Sequence, residues 1–253
     1  MLSNSDFFTG AFAPEYGNAY SGVFDIRLRT GNNETREYSL GASVLGIDFT
    51  AEGPFKKGGS SSYLANYRYS SIALLDNLGI VDFFGVPKYQ DASFKMLFPT
   101  KKAGTFSVFG LGGISSIYQE FTDNNDEVSS ISDFKTNLGV VGLNHTYLFN
   151  EKTYLKSSLA ISGNSSQQDY KEQITNDTEF DPYYEESLSK TAPRFASTLH
   201  HKFNAKHKLQ TGLVYTQYMF DFQSRVWNDL EGRMEQLLGN DGSAGMAQAF
   251  ARW

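Results

Sequence analysis

The chain has 253 residues, no cysteine, 21 phenylalanines, 15 tyrosines and a formal net charge of -6. Without cysteine there is no disulfide scaffold, thiolate-ligated metal or thiol catalysis, and the acidic balance argues against nucleic acid as a partner. No apolar run approaches the roughly 18 residues of a membrane helix, so a spanning segment would have to be a strand of about ten residues, apolar at every second position.

The first 33 residues differ from the rest of the chain. GAFAPEYGNAYSG at residues 10–22 is rich in turn-forming residues, 23–28 predict one short strand, and RTGNNE at 29–34 predicts a polar hinge. The amino terminus lacks the basic and apolar stretches of a signal peptide. Either the protein is cytosolic or its true start is missing from this sequence.

From residue 36 onward the sequence predicts β-strands, because apolar residues recur at every second position. The alternation is clearest at 63–70, 91–98, 155–162 and 194–203, and further strands are predicted at 36–53, 104–115, 134–149 and 208–220. A slip of parity near residues 44–45 is interpreted as a bulge. Together with a strand that begins near residue 245, the pattern predicts eight or nine strands.

The predicted connections alternate in length and composition. Short turns that carry lysine fall at 56–59, 99–104, 150–152 and 204–207, and long, acidic, aromatic-containing loops fall at 71–88, 116–133, 164–191 and 222–243. A soluble sandwich has no reason to lengthen every second connection. Outer-membrane barrels do so, because one rim is tight and the other carries the external loops.

Three of the short turns repeat one pattern, in which a strand ends on phenylalanine and lysine follows three residues later. The pairs are Phe98 with Lys101, Phe149 with Lys152, and Phe203 with Lys206. An aromatic ring at headgroup depth with a lysine just beyond it is typical of a membrane interface. The alternative is an ordinary hairpin with a core phenylalanine and a solvated lysine.

Exposed aromatic rings in the long loops are candidates for stacking on an external ligand. These residues are Phe83, Phe84, Phe180, Tyr183 and Tyr184. Packing of each loop on its own side chains is the alternative explanation.

The sequence gives no sign of catalytic chemistry. His200 and His201 are adjacent on a predicted strand and point to opposite faces, so they cannot share a metal ion. The acidic run at 123–127 lacks the spacing of a calcium loop, and no serine–histidine–aspartate set is recognisable. We expect no enzyme activity, no metal site and no cofactor.

One segment resembles the end of the plug domain of TonB-dependent outer-membrane receptors. EYGNAYSGVFDIRLRTGN at residues 15–32 contains a tyrosine–glycine turn, a Ser-Gly step, a short apolar strand and a basic Thr-Gly hinge. GIDFTAEGPF at 46–55 and YLANYRYS at 63–70 are similar to the first barrel hairpin of the subfamily with a carboxypeptidase-regulatory-like amino-terminal extension. The likeness of motifs covers roughly residues 10–70, and the remainder resembles the family only in its hairpins.

The resemblance implies an all-β fold, with an antiparallel transmembrane β-barrel portion of about eight to nine strands (34–253) after the carboxy-terminal end of a plug (1–33). Receptors of this family have about 22 strands around a plugged lumen, so the resemblance implies an internal fragment of a longer receptor, or a reading frame opened at an internal methionine and cut in mid-strand. The whole protein would import an unidentified external solute across the cell outer membrane. Its implied partners are outer-membrane lipid and the TonB energy-transducing complex, which contacts a region absent from this sequence.

By the same resemblance, six residues belong to the plug end and its contact with the barrel: Glu15, Tyr16, Gly17, Gly22, Arg27 and Arg29. The two glycines are expected where the backbone has positive φ or another group comes close. The two arginines are expected to pair with barrel carboxylates such as Asp48, Glu52 or Asp91.

Two alternatives remain open at this point. One is a self-contained small outer-membrane barrel, an adhesin or passive pore, that ends on the aromatic Trp253. The other is a soluble β-sandwich that binds carbohydrate. The plug-like segment argues against the small barrel, and the alternating loop lengths argue against the sandwich.

Overall fold

A computed structural model describes residues 3–10, 12–19, 21–43, 46–70, 72, 75, 78–79, 85, 87–123, 127–173 and 179–253. These residues form an all-β structure in which twelve strands make up two antiparallel sheets. Among them, no helix has the length and apolarity needed to cross a lipid bilayer.

The small sheet lies at the amino terminus. Strand β1 (Asp6–Phe8) pairs with β2 (Val23–Asp25), and a 3-10 turn (Pro14–Tyr16) lies between them. The rings of Phe7 and Phe24, which are cross-strand neighbours, stack with centroids 4.4 Å apart. We refer to residues 3–32, where described, as the N-terminal segment.

The large sheet has ten strands, and each strand pairs with its neighbours in sequence. They are β3 (Glu37–Ala42), β4 (Ile47–Pro54), β5 (Ser62–Tyr69), β6 (Lys88–Pro99), β7 (Thr105–Thr122), β8 (Val128–Asn150), β9 (Thr153–Glu172), β10 (Asp181–Lys202), β11 (Lys208–Asn228) and β12 (Arg233–Arg252). The four clearest sequence windows are confirmed as strands β5, β6, β9 and β10. Strands β3 and β12 are the two edges and do not pair with each other, so the sheet is open and not closed into a barrel.

The sheet has more strands than the eight or nine that the sequence predicts. The predicted strand at 36–53 is two strands, β3 and β4, which pair antiparallel with Ala42 opposite Ile47. The backbone N–H of Ser43 donates to the carbonyl of Gly46 at 2.9 Å. The parity slip marks a reversal of the chain and not a bulge, although residues 44–45 themselves lie outside the described residues.

Three of the predicted long loops are mostly strand. The connections shrink to 123–127, 173–180 and 229–232, while strands β7 to β12 reach 18 to 23 residues. The prediction was wrong on β9, for example, because both faces of its outer end are polar, as with Gln167 and Gln168, so alternation gives no signal there. Backbone pairing extends these hairpins nonetheless, with register shifts near Pro182 and Ser224.

The register of pairing assigns every side chain to one of two faces. The polar face carries the row Glu37, Glu52, Leu64, Lys95, Phe109, Gly142, Ala160, Arg194, Thr216 and Met246. The apolar face carries the row Tyr63, Met96, Val108, Leu143, Leu159, Phe195, Tyr215 and Ala247. All five basic residues at polar positions of the clearest sequence windows, including Arg68 and Lys156, lie on the polar face.

The apolar face contains a continuous band without ionised side chains. On β8 the band runs from Gly139 to Tyr147, and on β9 it runs from Leu155 to Gly163. The rows that continue these positions from β3 to β12 contain no Asp, Glu, Lys or Arg among the described residues. We call this region the apolar band.

Burial is the reverse of that in a water-soluble domain. The buried hydrophobic side chains found among the described residues, Leu64 and Val214, both lie on the polar face. In the apolar band Leu159 is 58% exposed and Leu213 is 61% exposed. A large, contiguous, exposed apolar surface of this kind marks a site of contact with another apolar phase or molecule.

Candidate functional site

A bidentate ion pair attaches the N-terminal segment to the polar face. Arg29 Nη1 donates to Glu52 Oε2 at 2.8 Å, and Nη2 donates to Oε1 at 2.5 Å. The backbone N–H of Asn32 donates to the same carboxylate at 2.9 Å. Glu52 is buried, whereas the Arg29 side chain keeps 39% of its surface exposed. A buried carboxylate needs such partners, so this contact fixes the segment to β4.

The ion pair also fixes the charge of Arg29. The hydrogen bonds to Glu52 raise the pKa of the guanidinium above its ordinary value, and this effect outweighs the opposing effect of burial. A guanidinium is already protonated at every physiological pH. Arg29 therefore keeps its proton, and the ion pair does not weaken through deprotonation of Arg29.

Two more contacts hold the hinge close to the sheet. Lys95 Nζ on β6 donates to the backbone carbonyl of Leu28 at 2.7 Å. Gly31 is buried, and a Cβ atom there would collide with the carbonyl oxygen of Tyr63 on β5. Only a glycine lets the hinge backbone lie this close to the strand.

The other end of the N-terminal segment reaches the far side of the same face. Gln210 Nε2 on β11 donates to Glu15 Oε2 at 2.6 Å. A Cβ atom on Gly17 would lie 3.2 Å from Gln248 Nε2 on β12. The buried Val214 is the cross-strand neighbour of Gln248. The segment thus contacts β4 to β6 and also β11 and β12, and the sheet curves around it.

The remaining plug-like residues pack within the N-terminal segment. Arg27 Nε donates to Asp25 Oδ2 at 3.0 Å, and this hydrogen bonding raises the pKa of Arg27. Burial, assisted by the negative charge of Asp25, raises the pKa of Tyr16. Gly22 lies close to Phe7, since an added Cβ atom would be 3.1 Å from that ring. Gly17 has φ of -61°, and neither glycine has positive φ, so close approach is what each provides.

Two of the three carboxylates considered as partners of the arginines have other roles. Asp91 accepts a hydrogen bond from Arg68 Nε at 2.7 Å, across β5 and β6. Asp48 lies beside Gly41 on the neighbouring edge strand. Arg27 pairs with Asp25 and Asp6, so Arg29 is the arginine that joins the segment to the large sheet.

Aromatic rings line the end of the large sheet at which the short turns connect the strands. They form the contacts Phe55–Phe98, Phe106–His145, Tyr147–Phe149, His201–Phe203 and Phe203–Trp253, with centroids 4.3 to 5.4 Å apart. Phe149 and Phe203 are exposed, and Lys101, Lys152 and Lys206 are exposed in the adjoining turns. The Phe/Lys pairs therefore lie together at the short-turn end of the strands, next to the apolar band.

The candidate ligand aromatics are divided. Phe83 and Phe84 lie outside the described residues. Phe180 precedes β10, whereas Tyr183 and Tyr184 belong to β10 and not to a loop. The Tyr183 ring packs edge-on against Tyr170, and the Tyr184 hydroxyl donates to Glu186 Oε2 at 2.9 Å. These rings stabilise the β9–β10 hairpin, and a contact with ligand stays a prediction.

The histidine pair is separated by the sheet. His200 stacks on Tyr154 on the polar face, with centroids 4.4 Å apart, and His201 Nδ1 lies 2.8 Å from Thr153 Oγ1 on the other face. Within the described part of the chain, no three His, Asp or Glu side chains are grouped to hold a metal ion.

No family model, curated protein or solved structure matches this chain.

Sequence reasoning did not single out the contacts of Asn32, Lys95 and Gln210. Each depends on the position of the N-terminal segment over the sheet, which period-2 alternation does not report. The only sequence signal was Lys95, a cation within an aromatic-rich strand, ASFKMLF at residues 92–98.

Proposed function

We propose that the chain forms part of a TonB-dependent outer-membrane receptor, which imports an external solute with energy supplied by an inner-membrane complex. In this proposal residues 34–253 belong to the barrel wall in the membrane and residues 1–33 are the end of the plug.

The observation that carries the proposal is the apolar band. It has about nine residues per strand, which matches the length of a tilted strand that spans the hydrocarbon core. Many large side chains of the band are exposed, whereas Glu37, Asp48, Glu52, Lys95 and Arg194 all lie on the opposite face. Lipid on the apolar face and water on the polar face satisfy this arrangement.

The two ends of the strands support an orientation. The aromatic edge with its short, lysine-bearing turns fits the periplasmic interface. At the other end the apolar face becomes polar, with Lys135 and Asp133 on β8 and Arg225 paired with Glu185 across β10 and β11. These strand ends extend beyond the band and fit the extracellular side.

The position of the N-terminal segment supports the receptor type. It lies on the polar face and contacts strands at both sides of the sheet through Arg29, Lys95 and Glu15. A plug occupies the lumen of a barrel in the same manner. In a bilayer the edges β3 and β12 would also need neighbouring strands, because unpaired backbone groups cost several kcal/mol in hydrocarbon.

The test uses single cysteines, since the chain has none of its own. Leu159→Cys and Leu213→Cys lie on the apolar face, and Ser158→Cys lies on the polar face at matching depth. With the variants placed in the complete proposed receptor, so that neighbouring strands cover β3 and β12, we expect the first two thiols in phosphatidylcholine vesicles to resist a water-soluble maleimide and to be reached by a lipid-soluble one. Ser158→Cys should react with the water-soluble reagent. Equal, rapid labelling of all three by the water-soluble reagent would exclude the membrane assignment.

A further inference from the structure

A niche on the polar face lies over β9, β10 and β11. It has a volume of about 250 Å³, and Ala192 lies at its centre between Ser162 and Tyr218 of the two neighbouring strands. Lys190 and Arg194 line it at the two positions flanking Ala192 on the same face of β10. Because Ala192 is small, the two longer cationic side chains border an open space.

The charge of the niche is positive and uncompensated. Neither Lys190 nor Arg194 has an ion pair with any described residue. No carboxylate is among the described residues that line the niche. Lys190 Nζ lies over the ring of Tyr218, 4.7 Å from the centroid, which holds the ammonium at the wall.

A buried hydroxyl of the niche has no partner. Thr216 is the cross-strand neighbour of Arg194, is 3% exposed and lines the niche. Its Oγ1 makes no hydrogen bond with a described residue. Buried polar atoms are normally satisfied, so this hydroxyl is free to donate to an acceptor that enters beside the guanidinium of Arg194.

We propose that this niche binds an oxyanion, a carboxylate or phosphate group carried by the solute. The arginine fork can donate two parallel hydrogen bonds to such a group, the ammonium adds a second charge, and Thr216 supplies a neutral donor. The assignment rests on the proposed function, because it defines the class of solute that the polar face receives. The rest of the solute would project into the space on that face.

The experiment measures binding of inorganic phosphate, and separately of acetate, to the 253-residue chain in the uncharged detergent dodecyl maltoside by calorimetry. Lys190→Gln combined with Arg194→Gln should weaken phosphate binding by about tenfold or more. Lys202→Gln is the matched control, because it lies on the same strand and face but outside the niche. It should leave binding unchanged. Preference for phosphate over acetate, or the reverse, identifies the oxyanion.

Thr216→Val separates binding from a structural role. Removal of the orphan hydroxyl should leave the thermal midpoint unchanged or raise it, while phosphate or acetate affinity falls by about three- to tenfold. If the anion affinity of Thr216→Val equals that of the unchanged chain, Thr216 does not belong to the binding site. Failure of both anions to bind, or equal weakening by Lys202→Gln, would overturn the proposal.

The outcome is separable from that of the membrane assignment. If the cysteine variants show lipid on the apolar face but neither anion binds, the inference fails and the receptor proposal stands. If an anion binds in the niche while Leu159→Cys is labelled from water, the receptor proposal fails and the anion site stands.

Discussion

A lysine in the middle of the apolar band tests whether the apolar face meets lipid. Leu159 occupies the central row of the band, between Leu143 and Phe195, and is 58% exposed. No acidic side chain lies in the rows above and below it within the band. If lipid covers the apolar face as proposed, Leu159→Lys places an unpaired cation near the bilayer midplane, at a cost of about 2–4 kcal/mol.

The neighbouring residue provides the matched control. Ser158 faces the other way, with Asn144 and Ala196 as its cross-strand neighbours. A lysine at position 158 keeps contact with water on the polar face, so we expect a change within about 0.5 kcal/mol. The two substitutions lie at adjacent positions of the sequence and introduce the same charge.

The assay is urea unfolding, in phosphatidylcholine vesicles, of the complete proposed receptor carrying each variant, compared with the receptor without a substitution. A loss of 2–4 kcal/mol corresponds to about a 30- to 700-fold fall in the folding equilibrium, since each 1.4 kcal/mol is tenfold. Equal unfolding free energies for Leu159→Lys and Ser158→Lys would refute the reasoning. A soluble sheet predicts that result, because an exposed lysine on a water-facing strand costs little.

Three further predictions concern the segment and the edge. Arg29→Glu places two carboxylates side by side and should release the N-terminal segment from the large sheet. Breaking a fully buried ion pair costs about 3–5 kcal/mol. The cost is smaller here because Arg29 is partly exposed. If the chain belongs to a receptor as proposed, cells that make that receptor with Arg29→Glu should admit more vancomycin. Glu52→Arg in the same chain should restore the barrier. Arg27→Glu, whose partners lie within the segment, should have no effect, and equal leakage of both single variants would contradict the assigned contact. Gly31→Ala should lower the free energy of unfolding by about 1–3 kcal/mol through backbone displacement, measured in urea, and an unchanged midpoint would show that the hinge is not tightly packed. Phe203→Ala should lose roughly 0.5–1.5 kcal/mol from its ring contacts in vesicle unfolding, and no loss there would argue against an aromatic interface at this edge.

Alternation was a good guide wherever one face is apolar and the other polar. It found β5, β6, β9 and β10, because the side-chain period of a strand is two and the apolar band imposes it. It failed at the outer ends of β7 to β12, for example on β9, where both faces are polar, and at β3–β4, where a chain reversal and a bulge give the same slip of parity. In these places backbone pairing, which side-chain pattern does not report, decides the structure.

The sequence also contained the candidate partners of the plug-like segment, but not their pairing. Arg27 and Arg29 are two residues apart and chemically identical, and Asp48, Glu52 and Asp91 are all acidic. The tertiary structure assigns Arg29 to Glu52 because the hinge backbone passes β4 and β5 at Gly31. Arg27 instead forms an ion pair with Asp25 within the N-terminal segment.

The sequence by itself determined that the chain forms strands in which apolar residues alternate with others along the chain. It also determined that thiol chemistry is absent and that the charged residues fall at alternate positions. Only the tertiary structure decided that these positions join, through the register of ten strands, into one apolar band on one face. It also decided that Lys190, Arg194 and Thr216 border a single niche. The physical reason is that parity along a strand is a local property, whereas a face, a niche or an ion pair depends on which strands lie side by side.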